Sequence, residues 1–415
     1  MKNSHRFELL SPAGDLECLK SAVNFGADAV YLAGQQFGMR TASKNFSDEE
    51  LAEGIKYAHE RGVSVHITCN VLPRSYELEK LPEFLSKAQE LGADAFIIAD
   101  LGVLELAKKY APKVEIHAST QTGIVNYATA NALYKMGVKR VVLARELSIP
   151  EIKEIRKNTP KELEIETFVH GSMCVSFSGR CIISSYMTGR DANRGDCAQP
   201  CRWKYHLYEE NREGQYFPIE EDDTGTYLYN SRDLCMIEHL PELLETGVKS
   251  LKIEGRAKSS YYTSAVTKAY SGALREYEKD PEGYRLPEWA REEIFKVSHR
   301  EYSTGFFLGG EPGQATSSGG YIREYDVAAM CEKDSTAETD GFITEITQRN
   351  KFLKGDVLDV LSAEGPSFET VVTRIVNEQG EETDSAPHAM ERLFITTDKP
   401  IAKGSYLRKK KSKSK

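Results

Sequence analysis

Long hydrophobic runs are missing from this sequence of 415 residues. No stretch approaches the roughly 20 consecutive apolar residues that a membrane-spanning helix needs. The opening MKNSHRFELLSPAG also lacks the apolar segment of a secretory signal. With 40% hydrophobic and 28% charged residues, the composition is that of an ordinary globular protein. We therefore expect a cytoplasmic protein that does not contact a membrane.

Motifs of the common hydrolases are absent too. The sequence contains no HExxH, the helix motif of zinc proteases, and no GxSxG, the turn that presents a catalytic serine. It also lacks the paired C-x2–4-C knuckles of structural zinc sites. A cysteine protease stays open, with Cys174 as nucleophile and His170 as its base, because a thiol needs only a nearby base to become reactive.

An overall positive charge is lacking as well. The formal net charge is −9, so the chain as a whole does not attract nucleic acid. The exception is the basic tail, residues 409–415, which contains five lysines and no acid. This tail is either a solvated end or an arm that binds RNA phosphates weakly and in a salt-dependent way.

Cysteine, by contrast, is plentiful and clustered. Three of the eight cysteines are scattered, at Cys18, Cys69 and Cys331. The other five lie within 62 residues with the spacing C-x6-C-x15-C-x3-C-x33-C, at positions Cys174, Cys181, Cys197, Cys201 and Cys235. Disulfides are rare in the cytosol, and irregular spacing favours an iron–sulfur cluster held by four thiolates from separate loops. The alternative is a set of reduced cysteines packed as small apolar side chains.

A degenerate repeat occupies the first 255 residues. Each copy has a glycine after an amphipathic stretch, then an apolar strand that ends in a polar residue or glycine; the copies are residues 26–34, 62–70, 92–100, 137–145 and 247–255. A glycine that ends a helix before a buried parallel strand explains this form. Residues 8–14, 114–120 and 163–171 complete eight strands that alternate with helices. We predict an α/β fold with a closed (β/α)8 TIM-like barrel and keep an open doubly wound sheet as the alternative.

The repeat also predicts the domain organisation. The barrel domain is assigned to residues 1–333, with a cysteine-rich insertion after strand 7 at residues 172–246 and a helical extension at 257–333. Short alternating strands predict a small C-terminal β-barrel at residues 334–408, followed by the basic tail. An insertion after the carboxyl end of a barrel strand lies on the face where such barrels keep their active sites. The cysteines should therefore surround that mouth.

Polar residues at the predicted strand ends are candidates for substrate contact. They are His66, Asn70, His117, Gln121, Arg145, Glu146, His170 and Glu254. Each also has a structural interpretation: a histidine within a strand can be a hydrogen-bonded interior residue, and Arg145 can form an ion pair with Glu146 beside it.

One stretch is similar to a known family. The sequence reproduces the signature E-x-F-x2-G-[SA]-[LIVM]-C-x4-G-x-C-x-[LIVM]-S of the U32 peptidases, with matches that include Glu166, Phe168, Gly171, Ser172, Met173, Cys174, Gly179, Cys181 and Ser184. The segments ELLSPAGDLECLKSAVNFGADAVYLAG, RDANRGDCAQPCRW and LKIEGRAKSSYY resemble further U32 motifs. The likeness extends over nearly the whole chain and is greatest to the branch that modifies tRNA uridine to 5-hydroxyuridine.

The resemblance implies a function that differs from the family's name. Members were first described as collagenase-like proteases, but the better-understood ones carry a [4Fe–4S] cluster and support hydroxylation, with prephenate implicated for those that modify RNA. Carried over, the cluster ligands are Cys174, Cys181, Cys197 and Cys235. Cys201 is one helical turn from Cys197, so either could face the cluster.

The resemblance and the residue types together predict the remaining site. Arginine pairs with carboxylates through two hydrogen bonds, so Arg145 and Arg180 are expected to bind a dianionic donor such as prephenate. Glu166 and His170 flank the cluster motif and are predicted to be catalytic, by proton transfer or by orienting a ligand; alternatively they support the residues that do so. The expected partner is tRNA or another structured RNA, with a homologous protein as a further possible partner. The competing functions are a U32-type peptidase and an RNA-binding partner of a separate enzyme.

Overall fold

In the computed structural model, the described residues are 5–35, 37–38, 45–174, 176, 181–192, 196–203, 220–222, 225–227, 232–310 and 321–411. Within this part of the chain, no helix is both long and apolar enough to cross a membrane.

The first half of the chain alternates strands and helices as the repeat predicts. The elements are β1 (Glu8–Pro12), α1 (Leu16–Asn24), β2 (Ala29–Leu32), α2 (Asp48–His59), β3 (Ser64–Cys69), α3 (Leu81–Leu91), β4 (Ala95–Ile98), α4 (Leu101–Tyr110), β5 (Glu115–Ala118), α5 (Tyr127–Lys135), β6 (Arg140–Val142), α6 (Ile149–Lys157) and β7 (Glu164–Ser172). The repeat glycines have positive φ, from 73° to 99°, at Gly26, Gly62, Gly92, Gly137 and Gly247. A residue without a Cβ adopts this left-handed turn at little cost, which lets each helix end and the next strand begin.

A longer segment separates β7 from the last barrel strand. Its described elements are α7 (Ile183–Thr188), β8 (Glu220–Asp222), β9 (Gly225–Tyr227), β10 (Asp233–Cys235) and α8 (Leu240–Leu244), followed by β11 (Ser250–Ile253). Ser250 of β11 pairs in parallel with Glu8 of β1 on one side and with Glu166 of β7 on the other. These pairings close eight parallel strands into a ring and confirm the predicted TIM-like barrel. The open sheet is excluded.

Strand β10 folds back along the rim. It runs antiparallel to the end of β7, with Cys235 opposite His170 and Asp233 opposite Ser172. Two helices and a short strand follow β11: α9 (Ser260–Lys279), α10 (Glu288–Phe295) and β12 (Tyr302–Ser303), which pairs with β10. The rim of the barrel therefore carries extra strands on the side where the cysteines lie.

The remaining chain forms an antiparallel sheet. Its elements are β13 (Tyr325–Cys331), β14 (Thr336–Glu338), β15 (Gly341–Gln348), β16 (Phe352–Leu353), β17 (Val357–Leu361), β18 (Phe368–Asn377), β19 (Ser385–Ala386), β20 (Arg392–Thr397) and β21 (Tyr406–Lys410). Six strands follow one another in the order β13-β21-β17-β18-β20-β15, and β13 also pairs with β15. The sheet thus closes on itself, which confirms a small C-terminal β-barrel.

Both ends of this barrel differ from the predicted bounds. The sheet begins at Tyr325 instead of residue 334, and its last strand reaches Lys410, beyond residue 408. Lys409 pairs with Asp356 (2.6 Å) and Lys411 with Asp326 (3.1 Å). The first lysines of the basic tail therefore belong to the folded domain, while residues 412–415 lie outside the described residues.

Candidate active site

The carboxyl ends of the barrel strands and the cysteine-rich insertion together enclose a cavity of about 190 Å³. Strand ends supply its inner wall with Tyr31, Thr68, Ile97, Phe168 and Lys252. The insertion supplies its outer wall with four sulfur side chains, those of Cys174, Cys181, Cys197 and Cys201. The structure therefore places these four cysteines at the barrel mouth, as predicted.

The four cavity cysteines lie on loops and turns at the barrel mouth, and none of them forms a disulfide bond in the described structure. Cys174 follows the end of β7, Cys181 precedes α7, and the Cys197–Cys201 segment lies beside α7. The Gln199 N–H donates to Cys197 Sγ at 3.3 Å, and Ser184 Oγ accepts from the Ala198 N–H at 3.0 Å. Backbone donors of this kind stabilise the negative charge of a thiolate, whether free or bound to iron.

Cys235 occupies a different place from the other four. It lies in β10, opposite His170, with its sulfur 3.8 Å from the Tyr270 hydroxyl. Burial raises the pKa of this thiol to about 11. Among the described residues around the cavity it is not part of the lining. Cys235 is therefore placed on the rim strand β10, whereas the other four cysteines line the cavity.

The described cysteines do not converge on one point. In the described part of the chain, no three His, Cys, Asp or Glu side chains converge as they would around one metal ion. A four-iron cluster binds each thiolate through a different iron, so its ligands stand farther apart than those of a single ion. Four thiols around one cavity provide donors of the right chemistry for such a group.

The inner wall of the cavity carries positive charge. Lys252 Nζ lies 2.9 Å from Glu166 and 4.5 Å from the centre of the Tyr31 ring. Arg256 is buried and donates to Thr68 Oγ1 at 2.9 Å. Arg145 donates to the Ser172 carbonyl at 2.8 Å and stacks over the Phe168 ring at 4.1 Å. Glu146 and Glu254 also line the cavity, so cations outnumber acids there by three to two.

Comparison with known proteins identifies the family. The model of peptidase family U32 matches residues 14–317, and the model of the U32 C-terminal domain matches residues 323–408. The chain belongs to peptidase family U32. The resemblance noted in the sequence is confirmed over both domains.

Relatives of this U32 chain carry different names. The tRNA hydroxylation protein P1 of Bacillus subtilis is 36% identical over 97% of this chain and 95% of its own length. An uncharacterized protease of Methanocaldococcus jannaschii is 46% identical over 72% of this chain and 73% of its own. A 23S rRNA 5-hydroxycytidine synthase of Escherichia coli is 39% identical over 66% of this chain but only 40% of its own length.

The U32 signature residues build the cavity wall in physical terms. Phe168, Met173, Cys174 and Cys181 line it directly. Gly171 has φ +111°, and a Cβ there would lie 2.3 Å from the Glu254 carbonyl oxygen. The signature therefore supplies the Phe168 ring, the cysteine sulfurs and the close contact at Gly171, which together shape one side of the mouth. Gly179 lies outside the described residues.

Glu166, predicted to be catalytic, lies beneath this wall. It is fully buried, 2.9 Å from Lys252 and 3.2 Å from Arg140. Burial opposes its charge, but the two cations keep the pKa of Glu166 below its usual value. The carboxylate is thus ionised and held by ion pairs inside the barrel, where it orients Lys252 toward the cavity.

His170, also predicted to be catalytic, is buried among aromatic rings. Its Nδ1 lies 3.4 Å from the Tyr270 hydroxyl, and its ring centre lies 5.3 Å from that of Tyr302. Burial lowers the pKa of His170 to about 3, so the ring is neutral near pH 7. Neither Glu166 nor His170 is among the described residues that line the cavity. Their catalytic roles stay predictions.

The other predicted contacts divide into two groups. Asn70, Gln121, Arg145, Glu146 and Glu254 line the cavity. His66 and His117 instead lie buried in the barrel interior, with ring centres 4.8 Å apart. Arg180, the second arginine predicted to bind substrate, lies outside the described residues.

Several residues of the inner wall were not predicted from the sequence, among them three with long polar side chains. They are Tyr31, Lys252 and Arg256. A signal for Lys252 was available, because it is the one charged residue between apolar neighbours in strand β11, SLKI. A lysine buried in a strand of that kind needs a partner, and only the folded barrel shows that the partner is Glu166.

Proposed function

We propose that this U32 protein is an RNA-modifying enzyme that hydroxylates C5 of a tRNA uridine, at the wobble position. The observation that carries the proposal is the composition of the cavity, which has cysteine sulfurs on one wall and cations on the other. Barrel enzymes place their reacting groups on this face. The names of the Bacillus subtilis and Escherichia coli relatives, both for RNA hydroxylation, support this activity over others.

We further propose that the cysteines bind a [4Fe–4S] cluster. Cys174, Cys181 and Cys197 would supply three ligands from the insertion, and Cys235 is the predicted fourth. Cys201 is the alternative, because it lies on the cavity wall and Cys235 does not. When bound, such a cluster supplies electron transfer, which is what an oxidative modification requires.

The oxygen donor is proposed to be a dicarboxylate of the prephenate type. Replacing C–H by C–OH removes two electrons from the base, so a co-substrate must accept them. Arg145, Lys252 and Arg256 are the cations that would bind its carboxylates. The Nε–H of Arg145 is buried without a hydrogen-bond partner in the described structure, so a ligand carboxylate would satisfy it.

Proteolysis is the weaker candidate. A cysteine protease needs a histidine within hydrogen-bond reach of its thiol, yet the described residues that line the cavity with the four cysteines include no histidine. Cys174 cannot serve both as an iron ligand and as a nucleophile. The name of the Methanocaldococcus jannaschii relative is the main support for a peptidase.

Nucleoside analysis tests the proposed activity. Total tRNA and rRNA are prepared from cells with and without the gene. We expect the tRNA of cells without the gene to lose 5-hydroxyuridine, and the wild-type gene should restore this nucleoside. The Lys252→Met variant should restore little, since it removes a cavity cation. If tRNA is unchanged and rRNA loses 5-hydroxycytidine, the substrate is rRNA instead of tRNA. No change in either RNA would refute the proposal.

Iron content tests the cluster. Protein purified without oxygen should contain about four iron atoms per chain. Cys174→Ala, Cys181→Ala and Cys235→Ala should each lose the cluster, whereas Cys18→Ala, Cys69→Ala and Cys331→Ala should keep it. These three control cysteines are buried elsewhere in the two domains. If Cys201→Ala loses iron and Cys235→Ala keeps it, Cys201 is the fourth ligand instead of Cys235. Stoichiometric zinc in place of iron would contradict the cluster.

A further inference from the structure

A second opening leads out of the cavity toward the C-terminal barrel. This groove has a volume of about 590 Å³ and shares Arg145, Cys174, Cys197 and Glu254 with the cavity. The shared residues make the two spaces continuous. From the mouth the groove passes the loop after β11 and reaches β13 of the C-terminal domain.

Rings and cations line the groove beyond the cavity. Lys258 Nζ lies 4.5 Å from the centre of the Tyr321 ring, and the Arg323 guanidinium lies 5.8 Å from the same ring. Arg323 also donates to Ser298 Oγ at 3.1 Å. Tyr321 and Tyr325 are only partly buried, so both residues are in part exposed to solvent.

The charge of the groove is opposite to that of the chain. Lys258, Arg323 and Arg145 are the described cations along it, and its acids are Glu254 and Asp326. Lys411 pairs with Asp326 at 3.1 Å and reduces its effect. A groove with excess positive charge on a protein of net charge −9 favours a polyanion at this one place.

Aromatic faces alternating with cations are the features that bind single-stranded nucleic acid. Bases stack on the rings while phosphates pair with lysine and arginine. Sequence-specific proteins recognise RNA mostly in loops whose bases can be turned outward. A duplex cannot deliver one base into a cavity of about 190 Å³ without unpairing it, whereas a loop can.

We infer that this groove binds the single-stranded nucleotides that flank the target base in an RNA loop. Tyr321 stacks on a base, and Lys258 and Arg323 contact phosphates. The inference rests on the proposed function, because it places the target base in the cavity, and it assigns the binding of the flanking nucleotides to the junction of the two domains.

Three substitutions test the groove: Tyr321→Ala, Lys258→Gln and Arg323→Gln. Helix α4 offers a matched control, because Lys109 lies 4.9 Å from the Tyr110 ring at the opposite end of the barrel. The probe is a labelled synthetic anticodon stem-loop, and its affinity is measured by fluorescence anisotropy at several salt concentrations. Iron content and thermal midpoint are measured on every variant.

Tyr321→Ala should weaken binding about tenfold, since loss of one stacked base costs roughly that factor. Lys258→Gln and Arg323→Gln should each reduce the slope of log affinity against log salt by about 0.7, the value for one phosphate of a single strand. Tyr110→Ala and Lys109→Gln should leave affinity and slope unchanged. Iron content should be the same throughout.

Two results would overturn the inference. One is wild-type affinity and slope in all three groove variants. The other is equal loss of binding to a duplex RNA of the same length, because the groove would then contribute only general attraction. Groove-dependent binding of a collagen-like peptide in place of RNA would assign the groove to a protein partner. If wild-type protein changes no RNA in cells, the proposed function fails, and the anisotropy data still decide the groove separately.

Discussion

At the scale of single residues, the barrel interior is notable for its buried charges. Arg140 lies between three carboxylates, with Nη1 3.2 Å from Glu166 and Nη2 2.6 Å from Glu164 and 3.1 Å from Glu8. Lys252 completes the set through Glu166. Breaking such a buried network costs far more than breaking a surface pair, so these side chains hold Lys252 at the cavity wall.

Two histidines beside this network predict an acid sensitivity. Burial lowers the pKa of His66 to about 3 and also lowers that of His117. In the unfolded chain a histidine takes up its proton near pH 6.5, whereas folded His66 stays neutral until about pH 3. Protons therefore favour the unfolded state, and the stability linked to His66 is complete above pH 6.5 and declines as pH falls toward 3.

We expect the His66→Gln substitution to reduce by one the number of protons that the chain takes up on unfolding in acid. Between pH 6.5 and 4.5, the free energy of unfolding of the wild type should fall more steeply than that of the variant, by about 1.4 kcal/mol per pH unit. Urea unfolding at four pH values measures both slopes. Any packing cost of the substitution appears at pH 7.5 and can be subtracted. Parallel curves for the two proteins would show that His66 is protonated in the fold.

At the scale of elements, the repeat identified five of the eight barrel strands and three further apolar segments supplied the rest, because both signals are local. A positive-φ glycine followed by an apolar run marks a helix end and a strand within one short window, as at Gly92 and Gly137. Closure of the barrel is not local. It depends on β11 pairing with both β1 and β7, and the pairing of Ser250 with Glu8 joins residues far apart in sequence.

The end of the chain shows why other elements were missed. Strand β21 contains Arg408, and its last two residues, Lys409 and Lys410, were assigned to the basic tail instead of a strand. Arg408 is nevertheless completely buried, because Glu293 and Asp359 from other elements neutralise it. The cavity has the same limit: the cysteines were evident from spacing, but the contribution of Tyr31, Lys252 and Arg256 depends on neighbours that only folding provides.

One strand contact at the mouth predicts an effect of a single methyl group. An alanine at position 171 would place its Cβ 2.3 Å from the Glu254 carbonyl oxygen and would force β7 and β11 apart. Gly137 is a matched control, since it also has positive φ but no atom within 4 Å of an added Cβ. Both Gly→Ala substitutions incur the backbone strain of roughly 1–2 kcal/mol, but only one adds a collision.

Gly171→Ala should therefore destabilise the protein by at least ~2 kcal/mol more than Gly137→Ala. Because Cys174 follows the displaced end of β7, the first variant should also lose iron, while the second keeps it. Urea unfolding and iron analysis of the two variants check this. Equal losses of stability would mean that β11 moves aside without cost.

At the scale of the whole molecule, the two domains are joined by a buried polar interface. Arg408 of the C-terminal barrel donates to Glu293 of helix α10 at 2.9 Å and to the Tyr261 hydroxyl of α9 at 3.0 Å. Lys296 of α10 pairs with Asp359 of β17 at 2.7 Å. Since the groove is lined from both sides of this junction, the interface fixes the distance between the cavity and the C-terminal domain.

Arg408→Met tests whether this interface makes one cooperative unit. The substitution leaves buried Glu293 with only the more distant Lys296, at 4.0 Å, as a cation. This should cost about 3 kcal/mol, and the C-terminal domain should then melt separately from the barrel in calorimetry. Arg374→Met is the matched control, because Arg374 is exposed and pairs only with Glu382 in the described structure, a contact worth at most ~1 kcal/mol. Adding Glu293→Leu to Arg408→Met should recover part of the loss, since it removes the stranded charge. A single transition at the wild-type midpoint in Arg408→Met would show that apolar packing alone joins the domains, and RNA affinity should then also be unchanged.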